Sequence, residues 1–279
     1  MRKNAYILLA ALGLASCNYL EIEPVGKVIP HKTSEYRALL TEGYSRFPYT
    51  SSKAYTGLLS DEVGMFHEGN FFDSSDAIAL SYNYTWQYET QMWEYPYQYY
   101  YRAAFQANAV IDGVADADDD SSEDKRQILG EAYAMRAYAH FDLVNLYGKP
   151  YDPQTASTDR GVPLSTYIDI EQKYRPTNVA AVYQQIVEDI EAAERTMTLE
   201  KQESPTLNYR FSLDALAAFK ARVMLYMRNW QAAYDAATGL LPKYGLFFHR
   251  DSEGLRTVPS VQSFSSGLLS MADCGKGSV

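Results

Sequence analysis

The sequence has few basic residues, few cysteines and no long apolar run at its N-terminus. It carries 25 Lys and Arg against 35 Asp and Glu, a formal net charge of -10 and a pI near 4.9. This balance argues against nucleic acid or an anionic membrane surface as a ligand. The N-terminal apolar run, Ala5 to Leu14, is too short to span a bilayer. A transmembrane or nucleic-acid-binding protein is therefore not expected.

The signatures of common catalytic sites are also missing from the sequence. It contains no G-x-S-x-G elbow, no H-E-x-x-H pair and no glycine-rich phosphate cradle. The four histidines are far apart in the chain, and His140 falls on a helical face where a buried structural histidine is expected. We predict that the protein is not an enzyme and that it has no catalytic residues, no metal site and no cofactor.

Tyrosine is abundant, with 25 residues in a chain that is 47% hydrophobic. Tyrosine combines a wide apolar face with a polar hydroxyl, so it suits partly solvated surfaces that stack on polar ligands. The same residue also suits ordinary helical cores. The composition leaves both interpretations open.

The first residues have the pattern of a bacterial lipoprotein signal peptide. Arg2 and Lys3 precede the short apolar run, and Leu14-Ala15-Ser16-Cys17 matches a lipobox. This pattern predicts cleavage before Cys17 and acylation of that residue, which would hold the protein on a membrane. Only Cys274 would remain as a free thiol, so no internal disulfide is expected.

The segment from Ser121 to Tyr151 predicts the helix around which the fold is organised. Ser121 and Asp124 read as a capping box, Gly148 can take the left-handed conformation that closes a helix, and Pro150 cannot continue one. Two apolar faces predict packing between neighbouring helices. They comprise Ile128, Ala132, Met135, Ala139, Leu143 and Leu146 on one side, and Leu129, Tyr133, Arg136, His140, Val144 and Tyr147 on the other.

Other helices are predicted before and after this one. A helix capped by Ser34 should end near Pro48, and residues 49–83 lose helical periodicity. An aromatic stripe predicts a second helix, with Trp93, Tyr97, Tyr100, Ala104, Asn108, Ile111 and Val114 on one face. Pro176-Thr177 should open a further helix, Ser212 should cap another, and Asn229 should separate it from a short helix starting at Trp230.

These patterns predict an all-α fold, with tetratricopeptide-like helical hairpins in a solenoid layer and long irregular loops. We expect a signal peptide over residues 1–16, an extended lipid-anchored arm over 17–33, a helical domain over 34–246 and an irregular, non-native tail over 247–279. The acidic run Asp116 to Asp120 lacks the glycine and the final glutamate of a calcium loop, so a solvated turn is favoured.

Tyr82, Tyr84 and Trp86 precede the aromatic helix and escape its periodic stripe. They are therefore the predicted ligand contacts, with Asp61 at the polar rim. Asp61 and Glu62 would also be the pair to test in a carboxylate-dependent glycosidase. Adjacent loop acids are usually solvated, so this enzymatic alternative ranks last. A helical scaffold that holds a protein partner without binding sugar is the other alternative.

The sequence resembles the SusD/RagB family of outer-membrane nutrient-binding lipoproteins over roughly Cys17 to Leu246. The order and spacing of several short motifs carry the resemblance: Cys17 to Pro24, Ala107-Asn108, Gly130-Glu131-Ala132, Arg136-Ala137, Leu146-Tyr147-Gly148, Gly161-Val162-Pro163-Leu164, Arg175-Pro176-Thr177, Val182-Tyr183, Asp189-Ile190, Ala221-Arg222, Trp230 and Ala233.

The resemblance implies a helical body on the cell surface, anchored to outer-membrane lipid through acylated Cys17. It also implies capture of an oligosaccharide or other nutrient together with a TonB-dependent transporter of the SusC type. The family normally continues for about as many residues again. The chain is therefore expected to be an N-terminal portion of such a protein.

Overall fold

A computed structural model describes residues 30–45, 96–118, 124–169, 171, 173–244, 250–251 and 254–255 of the chain. It is mainly helical, as predicted, with short β-hairpins. The main helices are α1 (Thr33–Ser45), α2 (Pro96–Gly113), α3 (Lys125–Tyr147), α4 (Val179–Thr196), α5 (Leu213–Tyr226), α6 (Trp230–Thr238) and the single turn α7 (Leu241–Tyr244). The strands β1 (Arg160–Pro163) and β2 (Pro176–Asn178) pair antiparallel, as do β3 (Arg250–Asp251) and β4 (Gly254–Leu255).

The helix α3 lies at the centre and is buried on nearly all sides. It packs against α1 and α2 on one side and against α4 and α5 on the other. The close fit to α4 depends on Gly130, because a Cβ there would lie 2.8 Å from the backbone nitrogen of Met197. A larger residue would push the two helices apart. The prediction of an organising helix packed between neighbours is confirmed.

The two ends of α3 differ in detail from the prediction. The cap is Asp124, whose Oδ1 accepts a hydrogen bond from the backbone nitrogen of Arg126 at 2.8 Å, and the helix begins at Lys125. Ser121, predicted as the cap, lies outside the described residues. The helix ends at Tyr147 as predicted, but Gly148 has φ -99° and ψ 179°. This backbone is extended, so the left-handed closure predicted for Gly148 is wrong.

The prediction that Pro176-Thr177 opens a helix is also wrong. These residues form β2, and Asn178 caps α4 by accepting a hydrogen bond from the backbone nitrogen of Ala181 at 2.8 Å. Proline is tolerated at the first turn of a helix and at the start of a strand, so its presence does not separate the two. The long loop before α4 therefore contains a short antiparallel pair of strands, β1 and β2.

The later helices begin where the sequence predicts. Ser212 caps α5 through its hydroxyl, and Asn229 caps α6 through its amide oxygen. Ala233 is buried, whereas Trp230 remains 62% exposed and Tyr234 remains 65% exposed. The two helices pack against each other as an antiparallel hairpin would, but α6 leaves aromatic side chains in solvent.

Candidate functional site

The residues predicted from sequence to contact ligand lie outside the described residues. These are Tyr82, Tyr84, Trp86 and Asp61, and the predicted lipidation site Cys17 also lies there. Their roles stay predictions. The described part of the chain nevertheless contains two features that bear on function, a pair of buried polar networks and an exposed group of tyrosines.

The first network centres on Arg136 of α3. Its guanidinium donates to both carboxylate oxygens of Asp189 on α4, at 2.6 and 2.9 Å. The same guanidinium donates to Oδ1 of Asn108 on α2 at 2.8 Å and to the backbone oxygen of Thr166 at 2.9 Å. Burial raises the pKa of the Asp189 carboxyl even though Arg136 is in contact. Three helices and one irregular segment therefore meet at a single ion pair.

Asn108 and His140 extend this network to the segment that follows β1. The Asn108 amide donates to the backbone oxygen of Ser165 at 3.1 Å, and His140 Nε2 accepts from the Ser165 backbone nitrogen at 3.1 Å. His140 Nδ1 lies 3.1 Å from the backbone oxygen of Arg136, so the proton resides on Nδ1. Burial and the nearby Arg136 charge lower the pKa of His140 to about 4. The histidine is a neutral structural residue, as predicted.

The second network centres on Glu131, also on α3. Its carboxylate accepts two hydrogen bonds from Arg37 of α1 at 2.8 and 3.0 Å, and one from the Tyr44 hydroxyl at 3.0 Å. Gln127 joins Glu131 to the backbone oxygen of Phe211 and to the backbone nitrogen of Thr198. Burial raises the pKa of the Tyr44 phenol well above its usual range, and the Glu131 charge adds to this. This network fixes α1 and the segment before α5 onto α3.

The exposed tyrosines lie where α2 begins and α3 ends. Tyr97 and Tyr101 of α2 have ring centroids 4.6 Å apart, and the Tyr97 ring meets the ring of Tyr147 edge-on at 5.3 Å. The ring centroid of Tyr174, just before β2, lies 6.4 Å from the ring centroid of Tyr101. We call these four residues the tyrosine cluster. Only Tyr101 is substantially buried, and burial raises the pKa of its phenol well above the usual range.

The sequence grouped Tyr97 with the buried stripe of α2, and the structure differs there. Tyr100, Ala104 and Asn108 of that stripe are fully buried, but Tyr97 is 38% exposed. It sits in the first turn of α2, and its ring meets the ring of Tyr147, the last residue of α3. The sequence signal for the cluster was the spacing of four between Tyr97 and Tyr101, which places both rings on one helix face.

Neither membrane-spanning nor metal-binding features occur in the part of the chain that the structure describes. None of the helices there is both long and apolar enough to cross a bilayer. No group of three or more His, Cys, Asp or Glu side chains within those residues is arranged to hold a metal ion.

Comparison with known families gives a match over residues 18–225, to the SusD-like family described as "Starch-binding associating with outer membrane". A similar curated protein, "SusD-like protein P38" from Formosa agariphila, is 29% identical over 248 residues. That alignment covers 85% of this chain and 44% of the relative. The chain thus spans less than half the length of that relative.

Solved structures show the same fold at low sequence identity. A SusD superfamily protein from Bacteroides thetaiotaomicron superposes with a TM-score of 0.59 at 24% identity, covering 77% of this chain and 48% of that protein. A structure described as a laminarin-binding SusD-like protein gives a TM-score of 0.61 at 21% identity, covering 77% of this chain and 44% of that protein. The helical arrangement is therefore one that SusD-like proteins adopt.

Proposed function

Because the chain belongs to the SusD-like family, we propose that it is a cell-surface protein that binds a glycan at the outer membrane. The observation that carries this proposal is the family match, which extends over residues 18–225. One structural neighbour is described as binding laminarin, which supports a polysaccharide or oligosaccharide as the ligand class. The short motifs on which the SusD/RagB resemblance rests include Asn108, Glu131, Arg136 and Asp189, which build the two buried networks.

We further propose that the protein delivers its glycan to a TonB-dependent transporter of the SusC type and is held on the membrane through acylated Cys17. The lipobox Leu14 to Cys17 and the basic residues before it support the anchor. Two or more acyl chains are needed for stable anchoring, because a single chain binds a bilayer only reversibly.

The anchor is tested with the Cys17→Ala variant in a bacterial host that processes lipoproteins. The parent protein should incorporate labelled palmitate and sediment with outer membranes. The variant should accumulate as an unlipidated precursor, because the acylated thiol is gone. If the parent never incorporates the label and the variant partitions with membranes as before, the anchor proposal is wrong.

Ligand contact is proposed for Tyr82, Tyr84 and Trp86, with Asp61 as a hydrogen-bonding residue at the rim. Pyranose rings carry an apolar C–H face that packs on an aromatic ring, while their hydroxyls bond to polar side chains. These aromatics lie outside any helical stripe, so core packing does not account for them. A glycosidase using Asp61 and Glu62 would show turnover, and a protein scaffold would bind no sugar.

A glycan array combined with a turnover assay separates these possibilities, and the Trp86→Ala variant locates the site. We expect glycan binding without turnover, and loss of about 1–3 kcal/mol of binding free energy in the variant. Trp230→Ala is a matched control, because Trp230 is 62% exposed on α6. The absence of any array hit for the parent protein would overturn the proposed function. Equal affinity of Trp86→Ala and parent would overturn only the site.

A further inference from the structure

We propose that the tyrosine cluster is a glycan-contact surface, on which Tyr97, Tyr147 and Tyr174 stack against a pyranose chain. This inference rests on the proposed function, since it assumes that the protein binds a glycan. It adds described residues of the chain to the proposed contacts Tyr82, Tyr84, Trp86 and Asp61.

The three outer rings are accessible and face in different directions. Tyr97 is 38% exposed, Tyr147 is 41% exposed and Tyr174 is 44% exposed. The Tyr97 ring is tilted by 49° to Tyr101 and by 80° to Tyr147, and Tyr174 is tilted by 54° to Tyr101. Rings at such angles present ring faces in several orientations rather than one flat aromatic surface. A chain of linked sugar rings, which also turns from one unit to the next, can engage more than one ring face.

The size of the surface favours a sugar over a protein partner. An aromatic side chain presents about 150–250 Å², so three rings exposed to this degree offer roughly 250 Å². A specific protein interface needs about 800 Å² from each partner. The cluster is too small for that alone, whereas one or two sugar rings would cover it. Tyrosine also adds a phenol hydroxyl that can bond to a sugar hydroxyl, which phenylalanine or leucine cannot do.

The cluster is held from below by the Arg136 network. The Tyr101 hydroxyl donates to the backbone oxygen of Pro163 at 2.7 Å, which fixes the central ring to the end of β1. Two residues further on, the backbone of Ser165 is bonded to Asn108 and His140. The His140 ring also meets the Tyr101 ring edge-on at 6.5 Å. A surface that is already ordered loses little conformational entropy on binding, which favours weak ligands such as sugars.

The exposed aromatics of α6 lack such support and serve as a comparison. Trp230 and Tyr234 are 62% and 65% exposed. Within the described residues no aromatic ring packs against either of them. Exposure alone therefore does not distinguish the tyrosine cluster. The tyrosine cluster differs from the α6 aromatics in its ring–ring contacts and in the hydrogen bond that fixes Tyr101 beneath it.

The test uses the full chain and compares Tyr97→Ala, Tyr147→Ala and Tyr174→Ala with the control Tyr234→Ala. Affinity for soluble starch, for laminarin and for any array hit is measured by affinity electrophoresis and calorimetry. Each cluster variant should weaken binding of a long glycan about 5-fold to 10-fold, as loss of one stacked ring does. The Tyr97→Phe variant should lose less affinity than Tyr97→Ala, because it keeps the stacking ring and loses only the hydroxyl. Tyr234→Ala should bind like the parent.

The outcomes separate this inference from the proposed function. If Trp86→Ala abolishes binding and the three cluster variants bind like the parent, the role of the tyrosine cluster is overturned while the function stands. If the parent binds no glycan, the function fails and the inference fails with it. If a cluster variant loses a co-purifying protein but keeps glycan affinity, the surface is a protein-docking site and the inference is wrong. Unchanged melting temperatures would show that the variants remain folded.

Discussion

The two buried networks on α3 are similar in chemistry but differ in what they hold. Arg37 with Glu131, and Arg136 with Asp189, are both two-pronged guanidinium–carboxylate pairs with little solvent exposure. The first connects α1 and α3 to the backbone of Thr198 and Phe211. The second connects α2, α3 and α4 to the segment after β1 that lies beneath the tyrosine cluster.

The comparison explains why charged residues occupy the middle of a helical core. Irregular segments have backbone amides and carbonyls without ladder partners, and burying such groups unpaired costs free energy. In each network the side chains on α3 supply those partners, as Arg136 does for Thr166 and Gln127 does for Phe211. A buried ion pair is itself weak support for stability, because desolvation offsets its attraction. Positioning of irregular backbone is the better account of both pairs.

The largest effect is expected for Arg136→Met. This change leaves the Asp189 carboxylate buried without its cation, and it also removes the hydrogen bonds to Asn108 and Thr166. The free energy of unfolding should fall by about 3–5 kcal/mol. Glycan affinity of the remaining folded protein should fall too, because the base of the tyrosine cluster is loosened. Urea unfolding and affinity electrophoresis measure the two effects.

The matched control for Arg136→Met is Glu131→Gln, in the other network. It should cost about 2 kcal/mol of stability, because Arg37 loses a charged partner but keeps an amide oxygen. Its glycan affinity should equal that of the parent, since this network holds α1 and the segment before α5. The double variant Arg136→Met with Asp189→Leu should recover much of the lost stability. Equal loss of affinity in Arg136→Met and Glu131→Gln would show that the networks do not differ in function.

The sequence predicted the helices well because their signals are local. The caps at Ser212 and Asn229, the end of α3 at Tyr147 and the buried positions of α3 all follow from periodicity and capping chemistry. The errors at Gly148 and Pro176 have a local cause as well. Both residue types are compatible with two backbone conformations, and the choice was made by tertiary packing.

The polar networks and the tyrosine cluster were less predictable because they depend on distant pairing. Periodicity placed Arg136 and His140 on one face of α3 but gave no indication that Asp189 is the partner, 53 residues away. Likewise, the Tyr97 ring meets the Tyr147 ring because the start of α2 lies beside the end of α3. The short motifs shared with the SusD/RagB family contain several of these residues. Family resemblance therefore anticipated the positions, although not the contacts.

A smaller effect, with a defined pH window, is expected from His140, which belongs to the Arg136 network alone. Its pKa is about 4 in the folded protein and about 6.5 in an unfolded chain. As the pH falls below about 6.5 the unfolded chain takes up a proton and the folded protein does not, so stability is lost between about pH 6.5 and 4. Asp189, whose folded pKa is raised by burial, opposes this trend at the acidic end.

The His140→Gln variant isolates this contribution. Its amide oxygen can replace Nε2 as the acceptor for the Ser165 nitrogen, but it does not titrate. Between pH 7 and pH 5 the parent should lose about 2 kcal/mol more unfolding free energy than the variant. Glycan affinity of the folded parent should stay constant between pH 7 and pH 5, because His140 remains neutral there, and should weaken only near pH 4, where a protonated His140 cannot accept from Ser165 and adds a charge beside Arg136. The free energy of unfolding is measured by urea unfolding at each pH for parent and variant. If it depends on pH in the same way in both proteins, His140 is not the neutral acceptor that holds the base of the tyrosine cluster.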